Sequence, residues 1–275
     1  LFMLREFMNR LTERVRKIWS YIIRDSLYRN SFFLMVTLAL NATSGFLFTL
    51  ICVHFYSQQD VGYATAIISL AGLAFSLASL GAGRTIARFI GNSKTKSQDL
   101  STFTLIVALC SIISGFGLVY FIPVTEVYSG SIKLVSSIFF VVMPLLMSTR
   151  MVFDSTFIAL RDSFGNLIAA TYFNLAKIAV VLLPVVVSLG MVGILGAQVT
   201  GLVIGAAVSI MLIHRRLGLK LMTRPSRRSM SGKWSFALSV YANDLVGGVP
   251  ASVLPVIVVS KFGGATAALW YISMQ

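Results

Sequence analysis

Seven stretches of roughly twenty apolar residues follow one another along this chain, at 32–54, 62–83, 103–122, 134–153, 167–189, 191–213 and 236–260, and an eighth begins near Ala265. At 1.5 Å per residue, each is long enough to cross the ~30 Å hydrocarbon core of a bilayer as a helix. Short segments rich in Gly, Pro, Ser and charge separate them. Only structures that satisfy their own backbone hydrogen bonds persist in lipid, so the expected fold is an all-α, polytopic membrane bundle. Composition closes the alternatives. The chain is 57% AVILMFWYC and 12% charged, with a mean hydropathy of +0.86. A soluble enzyme of that composition would expose a large apolar patch, and a disordered chain needs the reverse balance. The chain begins at Leu1 and stops at Gln275 just inside an apolar run, as a fragment of a longer protein would.

The net charge of +14 would suggest nucleic acid if the cations formed one surface stripe. They lie instead between the apolar blocks. With the amino terminus in the cytoplasm and sides alternating, 20 of the 23 Lys and Arg fall in cytoplasmic segments. Lys133 and Lys261 fall outside, and Lys177 lies within the fifth block. This is the positive-inside bias of a cytoplasmic membrane protein. Residues 1–30 read as a basic amphipathic helix lying on the membrane surface. Leu4, Met8, Leu11, Val15, Ile18 and Ile22 share one face, and Arg5, Arg10, Arg14, Arg16 and Lys17 occupy others.

The longest loop, 214–235, is basic and reads as a linker. The segment beyond it repeats the first block. Ser31-Phe32 is echoed by Ser235-Phe236, and a polar residue stands about ten positions in, Asn41 or Asp244. The expected organisation is a surface helix (1–30), a six-helix lobe (31–213), the linker (214–235), and the first helix and part of the second helix of another lobe (236–275). Six spans between the copies would make the two lobes parallel repeats.

The run Phe55-Tyr56-Ser57-Gln58-Gln59-Asp60-Val61-Gly62-Tyr63, with Leu80-Gly81 and Arg88-Phe89 after it, resembles the start of polysaccharide transporters. These form the O-antigen (lipopolysaccharide) flippase branch of the multidrug/oligosaccharidyl-lipid/polysaccharide exporter superfamily. Ala159-Leu160-Arg161 leading to Asn174-Leu175-Ala176-Lys177 is similar to that family's fourth and fifth helices, and Trp270 departs from the pattern, where Gly is more usual. The resemblance covers residues 30 to 275. It implies a MATE-like fold of two six-helix lobes rocking about a central cavity. The cargo would be a polyprenyl-diphosphate-linked oligosaccharide, with a polysaccharide polymerase and glycosyltransferases as partners besides the bilayer.

Residues able to carry chemistry are few. His54 and His214 fall at opposite membrane faces and cannot share a metal. No Gly-rich phosphate loop is present, and neither an enzyme nor a bound cofactor is expected. Ionisable groups at membrane depth stand out, since each costs at least ~2.5–3.5 kcal/mol at a helix centre. Lys177, ten residues into its block, could hold a diphosphate or a sugar acid. Asp244, at similar depth from the same face, could take up a proton or Na⁺, or simply pair with Lys177. Arg84 and Arg88, spaced i,i+4, could clamp a diphosphate or merely anchor the second block in the headgroups. Asn41 could contact cargo or hydrogen-bond a neighbouring helix. Arg150 and Asp154 read as a pair closing the fourth block, and Gly201 and Gly205 as a packing surface. Pro144, Pro184, Pro250 and Pro255 fall inside blocks. Two other readings compete with a flippase. One is a drug or cation antiporter, which would want acids in an uncharged cavity. The other is a membrane-embedded polymerase or glycosyltransferase, which would want a large loop with a catalytic cluster.

Overall fold

The computed structural model describes residues 25–121, 131–221, 232–248, 253–254 and 257–258. The basic stretch before Asp25, residues 222–231 of the linker, Pro250 and Pro255 in the seventh block, and the eighth apolar block lie outside the described residues. The helices are α1 (Ser26–Phe55), α2 (Gln58–Ala78), α3 (Ala82–Phe89), α4 (Lys96–Phe121), α5 (Ser131–Ala159), α6 (Ser163–Val181), α7 (Pro184–Val187) and α8 (Met191–Leu217), and a further helix, α9, spans 234–248. A single 3-10 turn, Ile90–Asn92, follows α3. Six of these (α1, α2, α4, α5, α6 and α8) are long and apolar enough to cross a membrane. The protein is a polytopic helical bundle.

Two of the expected blocks are broken. The second, 62–83, ends as a regular helix at Ala78, because Leu80 and Gly81 both adopt positive φ, 45° and 66°. Arg84 and Arg88 therefore belong to a separate short helix, α3, and not to the end of a span. The fifth, 167–189, ends at Val181. Pro184 disfavours helical backbone at the residue before it, and Leu183 is extended (ψ 128°), so Pro184 starts α7 and does not sit inside a span. Pro144 does lie within α5, where it leaves the Phe140 carbonyl without a ladder partner. Gly115 of α4 packs there so closely that a Cβ would come 2.5 Å from that oxygen.

The long helices alternate in direction, so the cations collect at one end. At this basic end Asp162 caps α6 by accepting from the Gly165 N–H, and Arg216 of α8 forks onto the same carboxylate at 2.7 and 2.8 Å. Asn30 of α1 accepts from the Ser163 N–H. At the far end the Tyr56 hydroxyl donates to the Val181 carbonyl at 2.9 Å. Burial pushes that phenol up to about 12, so it remains a donor at neutral pH. Asp60 accepts from the Met191 N–H and from the Ser57 hydroxyl.

Apolar packing forms two clusters. One, toward the far end, joins Phe48, Cys52, Ile67, Met143, Val181 and Leu195; the other, toward the basic end, joins Ile86, Leu100, Phe103, Phe153, Phe157 and Ile213. Lipid offers no hydrophobic drive for helices to associate, so close approach and interhelical hydrogen bonds do that work. Ser111 donates to Ser148 at 2.8 Å, between α4 and α5. Hydroxyls such as Thr37, Thr49 and Thr156 bond the carbonyl four residues back, which satisfies them inside apolar surroundings.

The Asp162 junction is testable. Asp162→Ala removes both the cap and the Arg216 fork and is expected to destabilise the purified protein by about 1–2 kcal/mol. Asp162→Asn keeps a capping oxygen and loses only the charge pair, so its loss should be smaller. Unfolding midpoints in detergent at matched lipid content would show whether that order holds.

Candidate functional site

Between α1 and α2, toward the far end of the bundle, lies a cavity of about 120 Å³, partly open to the outside. Gly45, Phe48, Thr49 and Cys52 line it from α1, and Val61, Thr65 and Ile68 from α2. Its back wall is Lys177 of α6 with Ile194 and Gln198 of α8. The split of the fifth block changes the depth of Lys177. It lies four residues before the end of α6, so at 1.5 Å per residue it is about 6 Å from the far end of that helix. The sequence placed it near the middle.

Lys177 is 6% exposed, and among the described residues no carboxylate pairs with it. Its ammonium stands 4.8 Å from the centroid of the Phe173 ring and 5.3 Å from that of Phe48. Cation–π contact of this kind contributes roughly 0.5–2 kcal/mol, which offsets only part of the lost hydration. Close helix packing fixes the stem. A Cβ at Gly201 of α8 would lie 3.0 Å from Lys177 Cβ and from the Phe173 carbonyl, and one at Gly205 3.0 Å from Phe173 Cβ. The two glycines expected to serve packing therefore seat the segment that carries the lysine.

One turn away, Asn174 donates to Asn41 Oδ1 at 2.7 Å, which joins α6 to α1. Asn174 Oδ1 stays buried without a partner among the described residues. Asn41 is thus an interhelical partner beside the cavity and does not line it.

Arg84, Arg88 and Asp244 form a second group. Arg84 Nη2 is 2.9 Å from Asp244 Oδ1, and this pair replaces the Lys177–Asp244 pairing considered from the sequence. Asp244 meets Arg84 because α9 packs against α2 and α3, whereas Lys177 lies on α6 in the other cavity. Arg88 lies over the Phe236 ring at 4.5 Å, and Phe236 meets Phe89 edge-on. Lys233 reaches Asp99 at 3.0 Å. Where α2 breaks, Tyr241 of α9 donates to the Leu77 carbonyl at 2.8 Å, and a Cβ at Gly81 would fall 2.3 Å from the Ala237 carbonyl oxygen. Beside Arg84 and Asp244 opens another cleft, lined also by Ser79, Met151 and Ser155.

Arg150 and Asp154 pair at 3.5 Å. They do not close a span, since α5 runs on to Ala159. Sequence reasoning missed the polar lining of the cavity, Thr49, Thr65 and Gln198. The signal for it was that all three fall within apolar blocks at about the level of Lys177.

A cation at membrane depth, facing a cavity among spanning helices, is the kind of site found where a membrane protein handles a polar or anionic group. The chain matches the model of the polysaccharide biosynthesis protein family over residues 27–271, and it belongs to that family. No curated protein and no solved structure matches it.

Proposed function

We propose that the full-length protein is a flippase that carries a polyprenyl-diphosphate-linked oligosaccharide, an O-antigen or similar repeat unit, across the cytoplasmic membrane, with its amino terminus in the cytoplasm. One observation carries the reading. Lys177 stands in the cavity between α1 and α2 without a carboxylate partner among the described residues, next to hydroxyl and amide side chains. An ammonium in such a place interacts with an anionic group of the cargo, a phosphate or a sugar carboxylate. Thr49 and Thr65, whose hydroxyl protons go to the Gly45 and Val61 carbonyls, can still accept hydrogen bonds from a glycan, and the Gln198 amide can donate or accept. Membership of a polysaccharide biosynthesis family supports a glycan cargo. The contacts between α9 and the α2–α3 break support a second lobe standing against this face. The antiporter reading wants a free acid in the cavity. Asp244 lies outside the cavity and is paired with Arg84, so no observation favours it.

In this reading the protein moves the glycan and makes no covalent bond in it, with glycosyltransferases acting before it and the polymerase after. Removing the full-length protein from its own cell discriminates the classes. Loss of a flippase should stop surface polysaccharide and leave complete lipid-linked repeat units facing the cytoplasm. Loss of a polymerase would leave single units on the surface, and loss of a glycosyltransferase would leave shortened lipid-linked glycans. Either of the latter two results would refute transport as the activity.

A further inference from the structure

The Phe173 ring serves two cations. Lys177 Nζ lies 4.8 Å from its centroid and Arg150 Cζ 3.8 Å. Arg150 comes from α5 and lies nine residues before that helix ends, which is about 13 Å of helix. The pair is therefore held within the span region, where a cation is costly. One carboxylate accompanies the two, Asp154, 3.5 Å from Arg150 Nε. Among the described residues Lys177 has none, so the group retains one uncompensated positive charge. The ring sits where α6 and α8 approach closely: a Cβ added at Gly201 would lie 3.0 Å from the Phe173 carbonyl oxygen and 3.2 Å from its Cδ2, and one added at Gly205 3.0 Å from Phe173 Cβ.

We propose that Arg150 is a positioning residue for the Lys177 site. Its guanidinium holds the Phe173 ring, and its like charge drives the Lys177 ammonium away from α5 toward the cavity. The cavity thereby keeps a positive potential that favours an anionic group over a neutral sugar. Asp154 sets the size of that potential by neutralising Arg150 in part. The inference rests on the reading of the Lys177 cavity as the cargo site. It assigns anion preference to three residues on two helices rather than to the lysine alone.

The potential can be read without knowing the cargo. Gly45 lines the same cavity, and a side chain added there would meet no atom within 4 Å. In the full-length protein, with Cys52 and Cys110 replaced by alanine, Gly45→Cys places one thiol at the cavity wall. The probes are two methanethiosulfonates of similar size, the anionic sulfonatoethyl and the cationic trimethylammonioethyl reagent. The quantity measured is the ratio of their reaction rates, divided by the same ratio for a free small thiol. One unit charge at this distance and intermediate dielectric should raise that normalised ratio by on the order of tenfold. Lys177→Met and Arg150→Met should each bring it close to one, Arg150→Lys should keep most of it, and Asp154→Asn should raise it further. If Lys177→Met leaves the ratio unchanged, the cavity reading fails. If Lys177→Met removes the excess while Arg150→Met does not, that reading stands and the role given to Arg150 is overturned. Should Arg150→Met not accumulate in the membrane, Asp154→Asn decides: a rise supports the proposal, and no rise overturns it.

Discussion

Lys177→Met is expected to cut glycan export by the full-length protein roughly ten- to hundredfold while leaving its abundance and membrane insertion normal. Methionine fills much the same volume, and Gly201 still meets the same Cβ, so α6 and α8 should pack as before. The change removes a cation that lacks a carboxylate partner among the described residues, so no buried anion is orphaned. For that reason a purely structural lysine predicts little loss, or a gain in stability. A charge-assisted hydrogen bond to cargo contributes about 1.5–3 kcal/mol, which corresponds to roughly ten- to hundredfold in transport. Lys177→Arg should keep part of the activity. Adding Asp244→Leu to Lys177→Met should restore nothing, since Asp244 is engaged with Arg84. Surface polysaccharide per cell, normalised to protein in the membrane, is the readout. Normal export by Lys177→Met would remove Lys177 from the cargo path.

Gly81→Val should detach α9 from the α2–α3 break. Two costs coincide at this position. The backbone has φ +66°, where a residue with a Cβ is strained by roughly 1–2 kcal/mol. The Cβ itself would stand 2.3 Å from the Ala237 carbonyl oxygen. That atom is backbone and cannot rotate away, so α9 must shift, and the Tyr241 bond to the Leu77 carbonyl goes with it. A disulfide reports the shift directly. A Cβ at Gly248 would lie 3.9 Å from Ser76 Cβ, within the ~3.5–4.5 Å that a disulfide spans. Ser76→Cys with Gly248→Cys, in a chain otherwise without cysteine, should cross-link readily under mild oxidation. The same pair with Gly81→Val should lose most of that cross-linking. An unchanged yield would show that α9 is not seated on Gly81.

The spans were legible because apolar length alone separates a helix that crosses lipid from one that does not. Lys177 was legible for the complementary reason, that a cation inside such a run is costly enough to need an explanation. The break at Leu80-Gly81 was not, since an apolar residue with positive φ leaves no mark in hydropathy. Pro184 was visible, but the apolar run on both sides of it concealed that the helix had ended, and the depth of Lys177 went wrong with it. Arg150 was read as a local partner of Asp154, which it is. Its second contact, with Phe173, needs α5 and α6 to be neighbours, and no spacing within one helix reveals that. Asp60 bonding the Met191 N–H across 131 residues is of the same kind.

The Asn41–Asn174 bond joins residues 133 positions apart, and that separation has a consequence for how the bundle is made. Ribosomes add about 5–20 residues per second, so α6 emerges roughly 7 to 27 s after α1. Throughout that interval Asn41 is in place without the amide that receives it in the finished protein, as is Asn30 without the Ser163 N–H. Helix α1 thus enters the membrane early and docks late. The step that commits the bundle to its final arrangement is the arrival of α6, and a variant that delays or misplaces α6 would leave α1 exposed to quality control with both asparagines unmet.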